Sequence, residues 1–402
     1  MKILVISSYL PFPLHSGGHI RLYNLIKNLS NDNEITLICE KRDLQTDEDV
    51  EKVKKICKKV ITVKRKKQWS FSNIIKTGFS FDPFLLVGHK SEEMKDLIRD
   101  ELVKENFDLI HVETFYVLQN LPDGEAGLPK VSMPIILAEH NIEYLVYKRY
   151  ADLASPLLRP ILNIDVLKIK NKEEQAWKKV FKLIAVSEAE KKIMKRADTV
   201  IIPNGVDANK FKFRSFDKIG SEKRILFIGD FKWLQNRDAL EYILSQIWPK
   251  IKQQLSLLHQ DIDLKLWVVG RNLPDSFNKY SGKEIIFDTR NKMEAWEIFR
   301  KAYLLLAPLR AGGGTSYKVL EAMSTGVGVV TTNLGIEGLG AKNGVHVLSA
   351  ENSDELANCV VNLITDHSLY RKITLNSRRF IEENYDWKII SDKLNKVYMS
   401  SL

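Results

Sequence analysis

Cysteine is scarce. Cys39, Cys57 and Cys359 are the only three, an odd number at wide spacing, which excludes a disulfide framework or a zinc knuckle. A reducing, cytoplasmic setting fits such a chain. Long apolar runs are missing as well. No stretch approaches the about 18 consecutive apolar residues of a membrane-spanning helix. The apolar start Ile3-Leu4-Val5-Ile6 gives way at once to Ser7, Ser8, Pro11 and Pro13, too short for the core of a secretion signal. The dinucleotide fingerprint G-x-G-x-x-G is absent, which disfavours a nicotinamide enzyme, and so is the ATP-binding loop G-x-x-x-x-G-K-[ST]. Two Asp-x-Asp strings occur, Asp47/Asp49 and Asp261/Asp263. The first opens a polar helix and the second precedes a strand, so both read as solvated charges rather than a metal clamp on a diphosphate. Neither a metal nor a cofactor is expected.

What is present describes an ordinary globular chain. It has 402 residues, 44% hydrophobic and 28% charged, which leaves room for about two or three domains. Its net charge of +10 asks for an anionic partner without naming one. Short β-branched and Leu-rich runs alternate with amphipathic helical stretches throughout. Strands are expected at Lys2–Ile6, Glu34–Cys39, Val60–Val63, Leu109–Val112, Ile135–Ala138, Leu183–Val186 and Thr199–Ile202. After a polar stretch the pattern restarts at Arg224–Ile228, Leu264–Val269, Glu284–Phe287, Tyr303–Ala307 and Val327–Thr331, with one long helix at Ala239–Leu258. Alternation of this kind predicts an α/β chain of two Rossmann-like, doubly wound parallel-sheet domains facing across a cleft. Their expected bounds are 1–205 and 206–385, with a last helix, 386–402, packing back on the first domain. Ligands in such sheets bind outside the carboxyl ends of the strands.

Glycines mark those ends. Gly17-Gly18 precede a helix after the first strand, where a backbone can approach a ligand and free N–H groups can meet phosphate; a plain βα turn is the alternative. Gly229 and Gly270 end two strands of the second half. Gly312-Gly313-Gly314, between the strand Tyr303–Ala307 and the next helix, form a stronger anion-binding nest, with Arg310 before it and Lys318 in the helix's first turn. Glu321 lies two turns into that helix among Leu320, Ala322 and Met323, surroundings that argue against a solvated glutamate and suit vicinal hydroxyls such as those of a ribose. His140 follows the strand Ile135–Ala138 as part of Glu139-His140-Asn141, and a capping or core histidine is its bland reading. His111, at the end of another strand, reads as structural.

Pro203-Asn204-Gly205-Val206-Asp207, Leu226-Phe227-Ile228-Gly229, Val268-Val269-Gly270, the span from Gly313 to Glu321-Ala322-Met323, and Gly326-Val327-Gly328-Val329-Val330 occur in that order. In this the chain resembles the GT-B glycosyltransferases of family 4, the retaining "group 1" type. The resemblance implies an acceptor-binding N-terminal domain, a nucleotide-sugar-binding C-terminal domain, metal-independent transfer with retention, and a role in polysaccharide or glycolipid synthesis. It assigns Glu321 to the donor ribose and likens His140 to a histidine that faces the donor sugar. Two departures stand out. The family's first glutamate falls on Gly313, and its diphosphate-binding Arg and Lys fall on Asp230 and Gln235. Lys318, Arg310, Lys232 and Arg237 are the cations that could stand in, Lys318 first. Gly17, Gly18, Gly229, Gly270, the Gly312–Gly314 nest, Thr315 and Ser316 complete the expected donor set beside Arg237, Arg310, Lys318 and Glu321, with His140 and Lys318 as the catalytic pair. A nucleotide-sugar epimerase or a non-catalytic sugar-nucleotide binder of the same architecture is the alternative.

Nine basic residues and no acid lie in Lys52–Lys67, followed by Trp69 and Phe71, and Tyr144–Lys182 alternates basic with apolar residues. A solvated face is the usual meaning of a charge run. An anionic membrane surface is the second, which would place the protein peripherally on the inner face of the cell membrane. No recognition motif supports nucleic acid.

Overall fold

The apolar runs pair as parallel strands. Such strands are covered on both faces, so they appear as continuous Val/Ile/Leu stretches rather than alternating ones. The computed structural model describes residues 1–66, 68, 70–78, 80–122, 132–218, 220–259, 262–311 and 315–402. The chain divides into two compact units, Met1–Pro203 with Ile390–Leu402, and Asn204–Ile389.

The first unit holds β1 (Lys2–Ser7), β2 (Glu34–Lys41), β3 (Lys59–Lys64), β4 (Leu109–Glu113), β5 (Ile135–Ala138), β6 (Lys182–Ala185) and β7 (Val200–Ile201). They form one seven-stranded sheet in the order β3-β2-β1-β4-β5-β6-β7. Leu4, Ile6, Ile110, Val112, Leu137 and Leu183 anchor the core on one of its faces. The end of the chain belongs here: Tyr398, on the helix Trp387–Met399, is buried and its hydroxyl bonds His111 Nδ1 at 2.7 Å.

The second unit holds β8 (Lys223–Ile228), β9 (Leu264–Val269), β10 (Ile285–Asp288), β11 (Leu304–Ala307), β12 (Gly328–Thr331) and β13 (Leu348–Ser349), in the order β10-β9-β8-β11-β12-β13. Along β8, Ile225 and Phe227 enter the core on one face and Leu226 that on the other, the period-two alternation of a strand. Both sheets are doubly wound and parallel, the fold class expected from the sequence.

Two local readings needed correction. The long helix begins at Leu234 and not at Ala239, and it widens into a π turn at Ile243–Ile247 before ending at Leu257. After Leu234 its first turn, Gln235-Asn236-Arg237, is polar and so hides from an apolar-period search. Glu321 lies one turn into its helix rather than two, because that helix starts at Tyr317. The Asp-x-Asp residues do local work: Asp49 completes a capping box with Thr46, Asp47 pairs with Lys41, and Asp263 pairs with Lys265. Asp261 lies outside the described residues.

Gly270 shows how tightly the strand ends meet. Its φ is 154°, and a Cβ there would lie 1.8 Å from the carbonyl oxygen of Gly229. Backbone cannot yield as a side-chain tip can. Gly270→Ala is expected to destabilise the second unit by about 2–4 kcal/mol, read as a lowered midpoint in chemical denaturation.

Candidate active site

In the first unit the strand order reverses between β1 and β4, where a doubly wound sheet opens a crevice at its carboxyl edge. The helix Gly17–Leu29 starts there, with Ser16 extended at its N-cap. A Cβ on Gly18 would lie 3.0 Å from the Tyr9 hydroxyl and 3.3 Å from His140 Nδ1, so the helix's first turn, Tyr9 and His140 are in contact. Gly17, Gly18 and His140, far apart in sequence, thus share one place. Tyr9 also packs on His19, 4.8 Å between ring centroids, and burial pushes the His19 imidazole down to about 4, so that ring is neutral.

Behind His140 stands Glu113, wholly buried at the end of β4. Its Oε2 accepts from His140 Nε2, and its Oε1 from His111 Nε2 at 2.8 Å. Ionised Glu113 can only accept, so each histidine turns its Nε2–H to it, and in neutral His111 the remaining Nδ1 then accepts from the Tyr398 hydroxyl. His140 Nδ1 is left as an acceptor, with the Tyr9 hydroxyl 3.4 Å away. Burial alone would raise the Glu113 carboxyl, but the two histidines hold it well below the usual carboxylate range. Two further carboxyls brace the same loop. Glu139 accepts from Trp177 Nε1 at 3.1 Å, and burial, with the charge of Glu173 beside it, pushes its carboxyl well above the usual range. Glu173 accepts the N–H groups of Glu143 and Tyr144 at 2.8 and 3.0 Å, closing the start of the helix Glu143–Leu153.

In the second unit the order reverses between β8 and β11. Gly229 directly follows β8, and a Cβ there would lie 2.8 Å from the Asn236 side chain. Asn236 is gripped at both ends: Nδ2 donates to the carbonyl of Asp230 at 2.8 Å, and Oδ1 accepts from Lys318 Nζ at 2.9 Å. The ammonium also lies 5.0 Å from the centre of the Phe227 ring. Burial pushes Lys318 down to about 8, opposed by Glu321 one turn along the helix Tyr317–Thr325. Burial likewise pushes Glu321 up to about 8, opposed by Lys210 and Lys318.

The other expected cations are placed differently. Arg310 is held by both oxygens of Asp238, at 2.7 and 3.0 Å, and lies 4.2 Å over the Tyr242 ring, so its charge is already matched. Arg237 has no ion pair among the described residues, and Lys232 is exposed in the loop after β8. Asp230 holds the loop together by accepting from Asn272 Nδ2 at 2.8 Å and from the Lys232 N–H at 2.9 Å. Ser316 is the N-cap of the Lys318 helix and gives it no side-chain cap, and the buried Thr315 hydroxyl has no partner among the described residues. Gly312, Gly313 and Gly314 lie outside the described residues. The structure therefore gathers Gly229, Gly270, Lys318 and Glu321 at one end of this sheet, and Gly17, Gly18 and His140 at one end of the other.

Residues 15–210 match the family described as Glycosyltransferase Family 4, and residues 222–366 that described as Glycosyl transferases group 1. The chain belongs to the group 1, family 4 glycosyltransferases. This glycosyltransferase has the GT-B fold. Sucrose-phosphate synthase from Thermosynechococcus elongatus shares it at a TM-score of 0.67 and 14% identity, over 100% of this chain and 99% of that one. HepE from Anabaena, solved in complex with UDP and glucose, shares it at a TM-score of 0.62 and 16% identity, over 100% of both chains. In sequence, an uncharacterized 44.6 kDa protein in the cps region of Klebsiella pneumoniae is 23% identical over 98% of this chain and 99% of its own length.

Sequence reasoning passed over Glu113, Tyr9, Asn236 and Tyr398. One signal was available. His111 and Glu113 stand two apart on a strand and so share a face. Nothing local tells which residues that face meets.

Proposed function

We propose that this glycosyltransferase moves a sugar from a nucleotide-diphosphate donor to a glycan or lipid-linked acceptor, with retention, in the synthesis of a polysaccharide or glycolipid in the cytoplasm. The observation that carries the donor half is the Lys318 ammonium, desolvated yet held in place by Asn236 at the switch point of the second sheet. A cation so placed has little solvent to lose when a diphosphate arrives. Glu321 takes the ribose hydroxyls. The N–H groups of Gly312–Gly314, Thr315 and Ser316, with Gly229 and Gly270 keeping the strand ends clear, take the phosphate oxygens. HepE with UDP and glucose supports a uridine donor, and the Klebsiella relative from the cps region supports a polysaccharide product.

The acceptor binds the first unit, where His140 stands, while the N–H groups of Gly17 and Gly18 are assigned to the donor. With Nε2–H committed to Glu113, His140 Nδ1 accepts a hydrogen bond from a sugar hydroxyl. The acceptor oxygen attacks the anomeric carbon on the face the diphosphate leaves. The bond from that carbon to the diphosphate oxygen breaks, and the acceptor's proton passes to the departing phosphate. No side-chain nucleophile and no metal takes part. Lys318 and the backbone N–H groups hold the charge that grows on the leaving group.

A thermal-shift panel of nucleoside diphosphates, followed by a release assay with the matching sugar donor, tests this. A ligand present at 100 times its Kd stabilises the fold by about 2.7 kcal/mol, enough for a clear shift. Nucleotide release that depends on acceptor is the expected result. Interconversion of the donor sugar without acceptor, or binding without turnover on any acceptor, would overturn the reading.

A further inference from the structure

The basic run Lys52–Lys67 is largely spoken for. Lys54 pairs with Glu51, Lys58 with Glu34 and Glu105, Lys59 with Glu101, Lys64 with Asp43, and Arg65 lies 3.7 Å from Glu40. Lys67 and Trp69 lie outside the described residues. A different part of the first unit has the composition of a membrane-facing surface. The loop before the helix Arg159–Lys179 and that helix's first half turn a row of large apolar side chains outward. Leu157 is 88% exposed, Ile161 66% and Leu167 66%, with Leu158 and Ile164 between them and Phe81, 92% exposed, beside them. Phe81, Ile164 and Leu167 line one open groove together with Lys168 and Lys172. Contiguous exposure on this scale marks an interaction surface, whereas scattered apolar residues do not.

The charge around the patch selects the partner. Tyr144–Lys182 carries nine Lys and Arg against four Asp and Glu. Asp152 and Asp82 are each paired with a lysine, Lys148 and Lys172. Asp165 is tied to the Phe84 N–H at 2.9 Å. Arg159 and Lys168 give their hydrogen bonds to neutral backbone carbonyls, and Arg149 has no ion pair among the described residues. Apolar tips on a segment with this excess of cations would repel a second copy of themselves, because a twofold interface sets like charge against like. They complement a surface that is apolar below and anionic above.

We propose that Leu157, Leu158, Ile161, Ile164, Leu167 and Phe81 insert into the interfacial layer of an anionic bilayer, with Arg149, Arg159 and Lys168 on the lipid phosphates. This goes beyond the transfer reaction and does not depend on which sugar is moved. It would bring a lipid-linked acceptor and the first unit to the same surface.

Co-sedimentation of the full chain with vesicles tests it. The protein should partition onto 70:30 phosphatidylcholine–phosphatidylglycerol vesicles at least tenfold more strongly than onto phosphatidylcholine alone, by about a tenfold step per roughly 1.4 kcal/mol of binding. The exposed triple variant Leu157→Ser, Ile161→Ser, Leu167→Ser should lose at least thirtyfold in partitioning. Its thermal midpoint and its nucleotide release with a water-soluble acceptor should match the wild type, so failure of the membrane surface is told apart from failure of the transfer reaction. Wild type that stays in the supernatant with both vesicles, or a triple variant that sediments as well as wild type, overturns the proposal. So does a wild-type dimer by light scattering that the triple variant abolishes, which assigns the patch to a second copy.

Discussion

Glu113→Gln is expected to lower kcat about a hundredfold and to leave the donor KM within about threefold of wild type. Glu113 touches no substrate in the proposed reaction. It acts by accepting a hydrogen bond from His140 on one oxygen and from His111 on the other. An amide offers one carbonyl and one NH2, so it can satisfy only one histidine in the present arrangement. If the NH2 faces His140, the ring must present a lone pair at Nε2 and a proton at Nδ1, and the group offered to the sugar changes from acceptor to donor. His140→Ala should cost about as much as Glu113→Gln, and the double variant little more than either, since both remove one device. Steady-state kinetics on the four proteins decide it. Full activity in Glu113→Gln would mean that the buried carboxylate only holds the fold, and an intact thermal midpoint beside lost turnover would mean the reverse. The depressed carboxyl of Glu113 also has a stability consequence. Its folded-state value lies below the unfolded one, so its contribution is complete above the ordinary glutamate range and is lost as pH falls beneath it.

Binding of the nucleoside diphosphate should draw a proton onto the protein above pH 8. Lys318 is held down to about 8 in the free chain by burial, so at pH 9 most of the molecules carry it neutral. A diphosphate beside it restores the ammonium. Affinity is therefore expected to fall about tenfold between pH 7 and pH 9, the loss that follows when a group of that value must be charged to bind. Calorimetry in buffers of different ionisation enthalpy measures the uptake directly. Lys318→Ala should abolish both the uptake and the pH dependence and cost most of the affinity, whereas Lys318→Arg should bind with no uptake. Glu321 titrates in the same range, being pushed up to about 8, and Glu321→Gln separates the two. An unchanged proton count in Lys318→Ala would remove Lys318 from the diphosphate. The two groups pull stability in opposite directions. Glu321, raised, favours the fold at low pH and loses that contribution as pH climbs toward 8. Lys318, lowered, is a cost at neutral pH that is relieved as pH rises from about 8 toward the ordinary lysine value.

Much of this protein was written in its order of residues. Each run of Ile, Val and Leu that looked like a buried strand in the first half is one, because a parallel strand covered on both faces has no polar positions to interrupt it. Only β13, two residues long, was too short to register in the second half. The glycines at strand ends, the His140 loop and the Lys318 helix were legible for the same local reason: each sits where a strand gives way to a helix. Which of them meet was decided elsewhere. β1 lies against β4 and not β3, so Gly18 reaches His140 and Glu113 stands behind it. His111 finds its partner Tyr398 almost at the end of the chain. Arg310 looked as free as Lys318 in the sequence, yet Asp238 claims it while Asn236 aims Lys318. Burial and strand order settle such matters, since a side chain's charge depends on what surrounds it in space, and neighbours in space are chosen by the packing of whole sheets and helices.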